Sequence, residues 1–152
     1  MADSHDTPDD LQFSIQRIYT KNISLELPNA PEMFRDNQQL TANLDLNIKH
    51  SLLSKRVYEV VLSVTLTAKV GEKTAYLCEV EQAGIFLTPN IPDDQLEAVL
   101  EVGCANILYP YASECIASLV ARSSFPNMSL SPINFEAIYH AKHAKKQEGF
   151  KH

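Results

Sequence analysis

The chain has no tryptophan, only four glycines among 152 residues, and three cysteines, an odd number. The glycines are too few and too scattered to build a phosphate-cradling loop. Cys78, Cys104 and Cys115 show no Cys-x-x-Cys spacing and sit among apolar residues. That argues against a zinc site or a disulfide framework, and for thiols acting as small hydrophobes in a reducing cytoplasm. No run approaches the roughly 18 apolar residues that a membrane-spanning helix needs. Residues 1–10 are polar and acidic, unlike a signal peptide, and are expected to form a flexible tail.

What is present is a body for one domain, expected over 11–147, with 45% hydrophobic residues. The net charge of −6 is unevenly spread. Residues 140–152 hold four lysines against Glu148, a local +3, and the other 139 residues carry −9. Such a body repels nucleic acid and favours a basic partner surface.

Periodicity supplies the elements. Phe13, Ile15, Tyr19, Ile23, Leu25 and Leu27 fall on odd positions, and Gln12, Gln16, Thr20, Asn22 and Glu26 on even ones, which predicts one long half-buried strand. Two prolines, Pro28 and Pro31, end it, and the chain to about Gln38 reads as a surface excursion. A second strand follows through Leu40, Ala42, Leu44, Leu46 and Ile48, and a third from Tyr58 to Leu66. After a turn at Gly71, a fourth runs from Thr74 to Leu87. Short connections make strands two to four an antiparallel meander. Asp93 and Asp94 just inside Pro92 predict a helix start. Cys104 to Arg122 repeats apolar residues every three or four positions, on so wide a face that it needs neighbours on more than one side. Pro110 interrupts it, and a last helix is expected from about Asn134 to Lys146, with a flexible tail over 148–152. Strands followed by helices make an α+β fold: a four-stranded antiparallel sheet packed with a long helix and a C-terminal helix.

No residue set supports catalysis. Cys104 or Cys115 with His140 as base would be a nucleophile pair only if the fold joined them. His140 and His143, three apart on a helix, lack further ligands for a metal. The fourth strand is more informative. Its even face carries Tyr76, Cys78, Val80 and Gln82, and its odd face Leu77, Glu79 and Glu81. One face can pack on a helix while the other shows a leucine between acids. Phe34, Phe86, Tyr109 and Tyr111 lie near irregular backbone, and ordinary core packing accounts for most such aromatics.

The strings IQRIYTKNIS, PNAP, YEVVL, LCEVEQAGIF, ILYPYASEC and FPNMSLSPINFEAIY, in that order and spacing over residues 13–139, resemble the SecB family of protein-export chaperones. The resemblance implies an ATP-independent, cytoplasmic chaperone without cofactor or membrane insertion. It would assemble as a homotetramer, a dimer of dimers, hold unfolded precursor polypeptides, and deliver them to the SecA motor. It implies SecA docking at Glu26, Leu77 and Glu79, and assembly-sensitive positions at Cys78, Val80 and Gln82. A client groove is expected along Phe34, Leu44, Leu46, Tyr58, Phe86, Tyr109 and Tyr111, chosen by region and chemistry. Asn22 stands where the family usually has an acid, and the C-terminal residues are basic where the family's are acidic. A chaperone dedicated to one client, such as an antitoxin, and an acidic interaction scaffold are the alternatives.

Overall fold

The computed structural model describes residues 13–37 and 39–149, without the side chains of 145–149. Four antiparallel strands form one sheet: β1 (Ser14–Glu26), β2 (Leu40–Ser54), β3 (Val57–Val70) and β4 (Lys73–Leu87). Their order across the sheet is β1-β4-β3-β2, so the expected meander of β2, β3 and β4 is joined by β1 on the far edge of β4. Gly71, at φ 62°, makes the β3–β4 turn, a conformation in which a Cβ would be strained.

Strict alternation does not survive along β1. The ladder with β4 shifts register between Ile15 and Arg17 and again between Thr20 and Asn22. Each shift inserts one residue, and an inserted residue exchanges the faces of all that follow. Ile18 therefore packs on the core, and Tyr19, expected beside Ile15 and Ile23, points to the other face. The second shift restores Ile23 and Leu25 to the core side. Gln82 holds this irregular stretch, accepting from Thr20 Oγ1 at 3.0 Å and donating from Nε2 to the Tyr19 carbonyl at 3.0 Å.

The segment between β1 and β2 is more than an excursion. It contains a 3-10 turn (Glu32–Arg35) that buries Met33 in the core. Asn29 Nδ2 ties it to the Thr74 carbonyl at 2.9 Å.

Helices cover one face. α1 (Asp93–Ala98) begins behind Pro92 with two acids in its first turn, as expected. It passes through a π-helical stretch, Val99–Cys104, into α2 (Ala105–Arg122), which continues through Pro110. Leu100, Cys104, Ala105, Leu108, Ala112, Ile116, Leu119 and Val120 are buried, and α2 packs on β4 and β3. Tyr111 is 52% exposed and Ile107 and Cys115 are half-buried, so the wide apolar face divides into a covered stripe and an uncovered flank. Ser123 Oγ caps the end on the Val120 carbonyl at 2.6 Å, and Ser124 turns left-handed at φ 71°. α3 (Phe135–Gly149) starts where Asn134 Oδ1 accepts from the Ala137 amide at 2.9 Å. It runs three residues beyond the expected end, so 148–149 are helical rather than tail, and the tail expected at 1–10 lies outside the described residues.

Candidate functional site

Residues directly opposite in an antiparallel ladder share a face. Glu26 lies opposite Leu77, Ser24 opposite Glu79, and Asn22 opposite Glu81. On β3, Thr67, Thr65 and Ser63 oppose the same three β4 residues. All lie on the side away from the helices, so the three docking candidates read from the sequence, Glu26, Leu77 and Glu79, come together on one helix-free surface. Glu79 is exposed, and its carboxylate accepts from Thr65 Oγ1 at 3.3 Å. Glu26, Glu79 and Glu81 form a short acidic row around Leu77.

The same face holds a group the sequence did not indicate. Because β1 bulges, Tyr19 and Lys21 both reach Glu59 on β3. Tyr19 donates its hydroxyl to Glu59 Oε2, and Lys21 Nζ lies 3.0 Å from Oε1. The Tyr19 hydrogen bond, more than its partial burial opposes, together with Lys21 holds the Glu59 carboxyl below its usual range. Burial, then the Glu59 hydrogen bond and charge, push Tyr19 up to about 12. Glu59 is thus neutralised in place, and the acidic character of the face concentrates at Glu26, Glu79 and Glu81.

On the covered face, Cys78, Val80 and Gln82 are buried within this chain. Within this chain they present no exposed surface. The groove candidates divide. Phe34 is 46% exposed and stacks on Phe125 with centroids 4.9 Å apart. Leu44 and Leu46 line the half-covered inner side of edge strand β2. Leu46 and Ile48 face Ile138 and Ala141 of α3 across a cleft of about 380 Å³ that also takes in Glu101 and Lys142. Tyr109 packs edge-on against Phe135 and donates to the Ser131 carbonyl at 2.6 Å.

Three candidates lie apart from these. Phe86 is fully buried between Gly84 and Phe13, because β4 is a central strand whose inward side is sealed by the helical layer. Tyr58 pairs with Phe86 at that same end of the sheet, away from Phe34. Tyr111 is exposed but lies two residues from Tyr109, about 200° around the helix, on the opposite flank. Phe125, Met128 and Leu130 are partly buried against the core, and Phe125 stacks on Phe34; the sequence reading did not single them out. Their segment has no periodicity, so only the fold brings Phe125 against Phe34 and Tyr76.

Glu101 is the other unforeseen feature. Its side chain is 5% exposed, on the π-helical stretch, with Lys142 of α3 at 3.1 Å and His50 of β2 at 3.4 Å. Burial pushes its carboxyl up, but the hydrogen bond and charge of Lys142, a hydrogen bond with Glu97 and the charge of His50 more than offset it, leaving it below the usual range. His143 meets Glu97 of α1 at 3.2 Å, so one contact docks α3 on α1 and another on the π-helical stretch.

No activated cysteine occurs among the described residues. Burial raises the Cys104 thiol to about 12, and burial with the nearby Cys115 raises Cys78 to about 11, so neither supplies a thiolate near neutral pH. Burial and then Glu114 raise Cys115 as well. His140 faces Glu136 on its own helix. No group of three or more metal-ligating side chains occurs among the described residues, and no described helix is long and apolar enough to cross a membrane.

Two solved structures resemble this fold. One is a SecB-like chaperone from Mycobacterium tuberculosis in complex with a ChAD peptide from an antitoxin, at a TM-score of 0.66 and 20% identity over 80% of this chain and 90% of that one. The other is a protein of unknown function from Streptococcus agalactiae, at a TM-score of 0.38 and 9% identity over 81% of this chain and 99% of that one. The first shares the fold; the second is too distant to argue from. The family model described as preprotein translocase subunit SecB matches residues 6–146. With nearly the whole chain matched, and the sheet, long helix and C-terminal helix in place, the chain belongs to the SecB family, whose members are chaperones and not enzymes.

Proposed function

We propose that the chain is an export chaperone that holds unfolded precursor polypeptides without nucleotide and passes them to SecA, working in the cytoplasm as a homotetramer. The observation that carries this reading is the division of one sheet. Its helix-free face bears the acidic row Glu26, Glu79 and Glu81 around Leu77. Its other face, at edge strand β2, keeps a row of half-buried apolar side chains, Leu44, Leu46 and Ile48, with the exposed Ile138 of α3 across the cleft, and Phe34 is exposed on the 3-10 turn. An unfolded chain exposes apolar segments that a folded one hides, so such a row selects by folding state. Repeated in a tetramer, it holds one long client at several points and needs no single tight contact. A basic partner recognised on the opposite face can then receive the client without competing for the groove.

Tetramer formation is supported by the uncovered flank of α2 around Tyr111, and by Ile15 and Ile23, 46% and 50% exposed on the edge strand β1. Surfaces of this kind are usually covered by another copy.

A second reading is a chaperone dedicated to one client. The similar fold that carries an antitoxin peptide supports it, as do the lysines after residue 141 where the family pattern is acidic. Client range separates the two. The purified protein, without nucleotide, is mixed with a broad set of denatured precursors and their refolding is followed. Delayed refolding of many precursors, with no effect once they are folded, supports the general role. Delay of one or none favours the dedicated role.

A further inference from the structure

Leu52 and Leu53 are 62% and 52% exposed, side by side where β2 turns into β3. Single surface leucines need no explanation, but two adjacent ones on a hairpin tip do. Leu52 pairs with Tyr58 and Ser54 with Val57, so Leu53 is an extra residue bulged out of the ladder. The tip is not slack. Its turn is only Lys55 and Arg56, and Arg56 is held left-handed at φ 62°, a costly conformation for a residue with a Cβ. The Arg56 carbonyl accepts from the amide of the buried Thr88 at 2.9 Å and from its hydroxyl at 3.2 Å. The guanidinium donates to the carbonyl of the buried Ile91 at 3.0 Å and meets Asp93 at 3.2 Å. The hairpin is thus clamped to the connection between β4 and α1, and both leucines are presented from a fixed base.

The charge at this end is basic. Lys55 is exposed, and none of the ion pairs among the described residues uses it. Asp93 is taken by Arg56, and Glu59 by Lys21 and Tyr19, while Asp94 lines the cleft between α1 and α3. Helix α3 runs toward the same end: Asn134 and Glu136 lie beside Val102 and Asn106, and His143 beside Glu97, closer to Asp93. From Lys145 onward the sequence holds Lys145, Lys146 and Lys151 against Glu148. The acidic row is remote. Its nearest member, Glu81, opposes Ser63, six residues along β3 from Val57. That is roughly 20 Å of extended strand, about twice the screening length at physiological salt.

We propose that this end of the molecule rests on an anionic lipid surface, with Leu52 and Leu53 sunk to the headgroup level and Lys55 among the lipid phosphates. A convex tip offers no groove to an unfolded segment. A protein partner is gripped most often through tyrosine, tryptophan or arginine, and here the one arginine is already spent on Ile91 and Asp93. Leucines beside lysines are what the boundary of acyl chains and acidic headgroups takes up. The contact is peripheral, since no described helix is long and apolar enough to cross a membrane. It goes beyond the chaperone reading and does not depend on it.

The test is co-sedimentation of the full-length protein with vesicles of equal parts phosphatidylglycerol and phosphatidylcholine, and with vesicles of phosphatidylcholine alone. The unsubstituted protein is expected to bind the first and not the second. Leu52→Ser and Leu53→Ser together lower the bound-to-free ratio roughly tenfold. Lys55→Glu lowers it severalfold at low salt, a difference that fades as salt rises. Both variants keep the melting temperature, the mass in light scattering and the delay of precursor refolding, because these side chains lie outside the core. No binding to the anionic vesicles overturns the proposal, and so does equal binding by the double-serine variant. A change in that variant's mass also overturns it, by placing a second copy on the tip. Loss of precursor holding or of SecA binding, with vesicle binding intact, overturns it by placing a protein there. If the unsubstituted protein binds anionic vesicles through the leucines yet holds no precursor, the chaperone reading falls and this one stands.

Discussion

Asn22 faces Glu81 directly across the β1–β4 ladder, on the side of the sheet that no described helix covers. The neighbouring pairs Ser24–Glu79 and Glu26–Leu77 continue the same surface. An acid at the position of Asn22 would stand against Glu81, and like charges directly opposite destabilise a ladder. Glu81 therefore puts a negative charge beside the position where the family usually has one, from the adjacent strand.

If this row docks SecA, Glu79→Lys and Glu81→Lys each weaken SecA binding by roughly three- to tenfold at low salt, the difference shrinking as salt rises. Both side chains lie away from the core, so melting temperature and the mass of any assembly stay as they are. Titration of SecA against each variant at two salt concentrations reads this out. Equal affinities at low salt would remove the acidic row from the docking site.

Positions on the other face of the same strand behave differently. Val80 is wholly buried between the sheet and α2. Val80→Phe overpacks that layer and destabilises the fold by about 1–3 kcal/mol. If the proposed tetramer depends on the seating of α2, loss of assembly and loss of stability are expected together. Light scattering and urea unfolding of this variant beside Glu79→Lys check the contrast. A dissociated Val80→Phe with unchanged stability would mean that Val80 meets the partner subunit itself.

Gly84 is fixed by a close approach. A Cβ there would lie 2.7 Å from Cε2 of Phe86 and 3.1 Å from the Arg17 carbonyl oxygen of β1. The ring is buried and the carbonyl is backbone, so neither yields easily. Gly84→Ala is expected to destabilise by about 1–3 kcal/mol in urea unfolding. A variant as stable as the parent would show that the Phe86 ring has room to move.

Most of the fold was legible because its signals are local. Alternation marked β2, β3 and β4, prolines marked the breaks, and Asp93 behind Pro92 marked the start of the helical layer. The face of Leu77 and Glu79 followed from period two on β4, which has no bulge between Tyr76 and Leu87. On β1 the same rule misplaced Tyr19, because the two inserted residues leave no mark on hydrophobicity. Groove residues were harder still. Phe86 and Phe34 are equally apolar, and only the position of β4 inside the sheet buries one while the outer loop leaves the other half exposed. Glu101 was invisible for a related reason: its partners, His50 and Lys142, come from an edge strand and a distant helix.

Glu101 also sets a pH dependence. Its carboxyl ordinarily titrates at 4.5 and is held below that in the folded chain, chiefly by Lys142 working against burial. The unfolded chain then binds a proton at a higher pH than the folded one, so stability rises with pH across this interval. The contribution is fully present above about pH 5 and is lost as pH falls through the lowered value of the folded state. Glu101→Gln keeps the shape but removes the charge that Lys142 and His50 meet. It should be less stable than the parent at neutral pH by about 2 kcal/mol, the range of a hydrogen bond to a charged group. The difference should shrink toward zero as pH falls below 4. Urea midpoints measured from pH 7 to pH 3 give the comparison, and amide exchange along α3 shows whether that helix loosens with the lost contact. Two curves running parallel through the whole range would mean that Glu101 does not carry the acid sensitivity and that α3 is held by its other contacts.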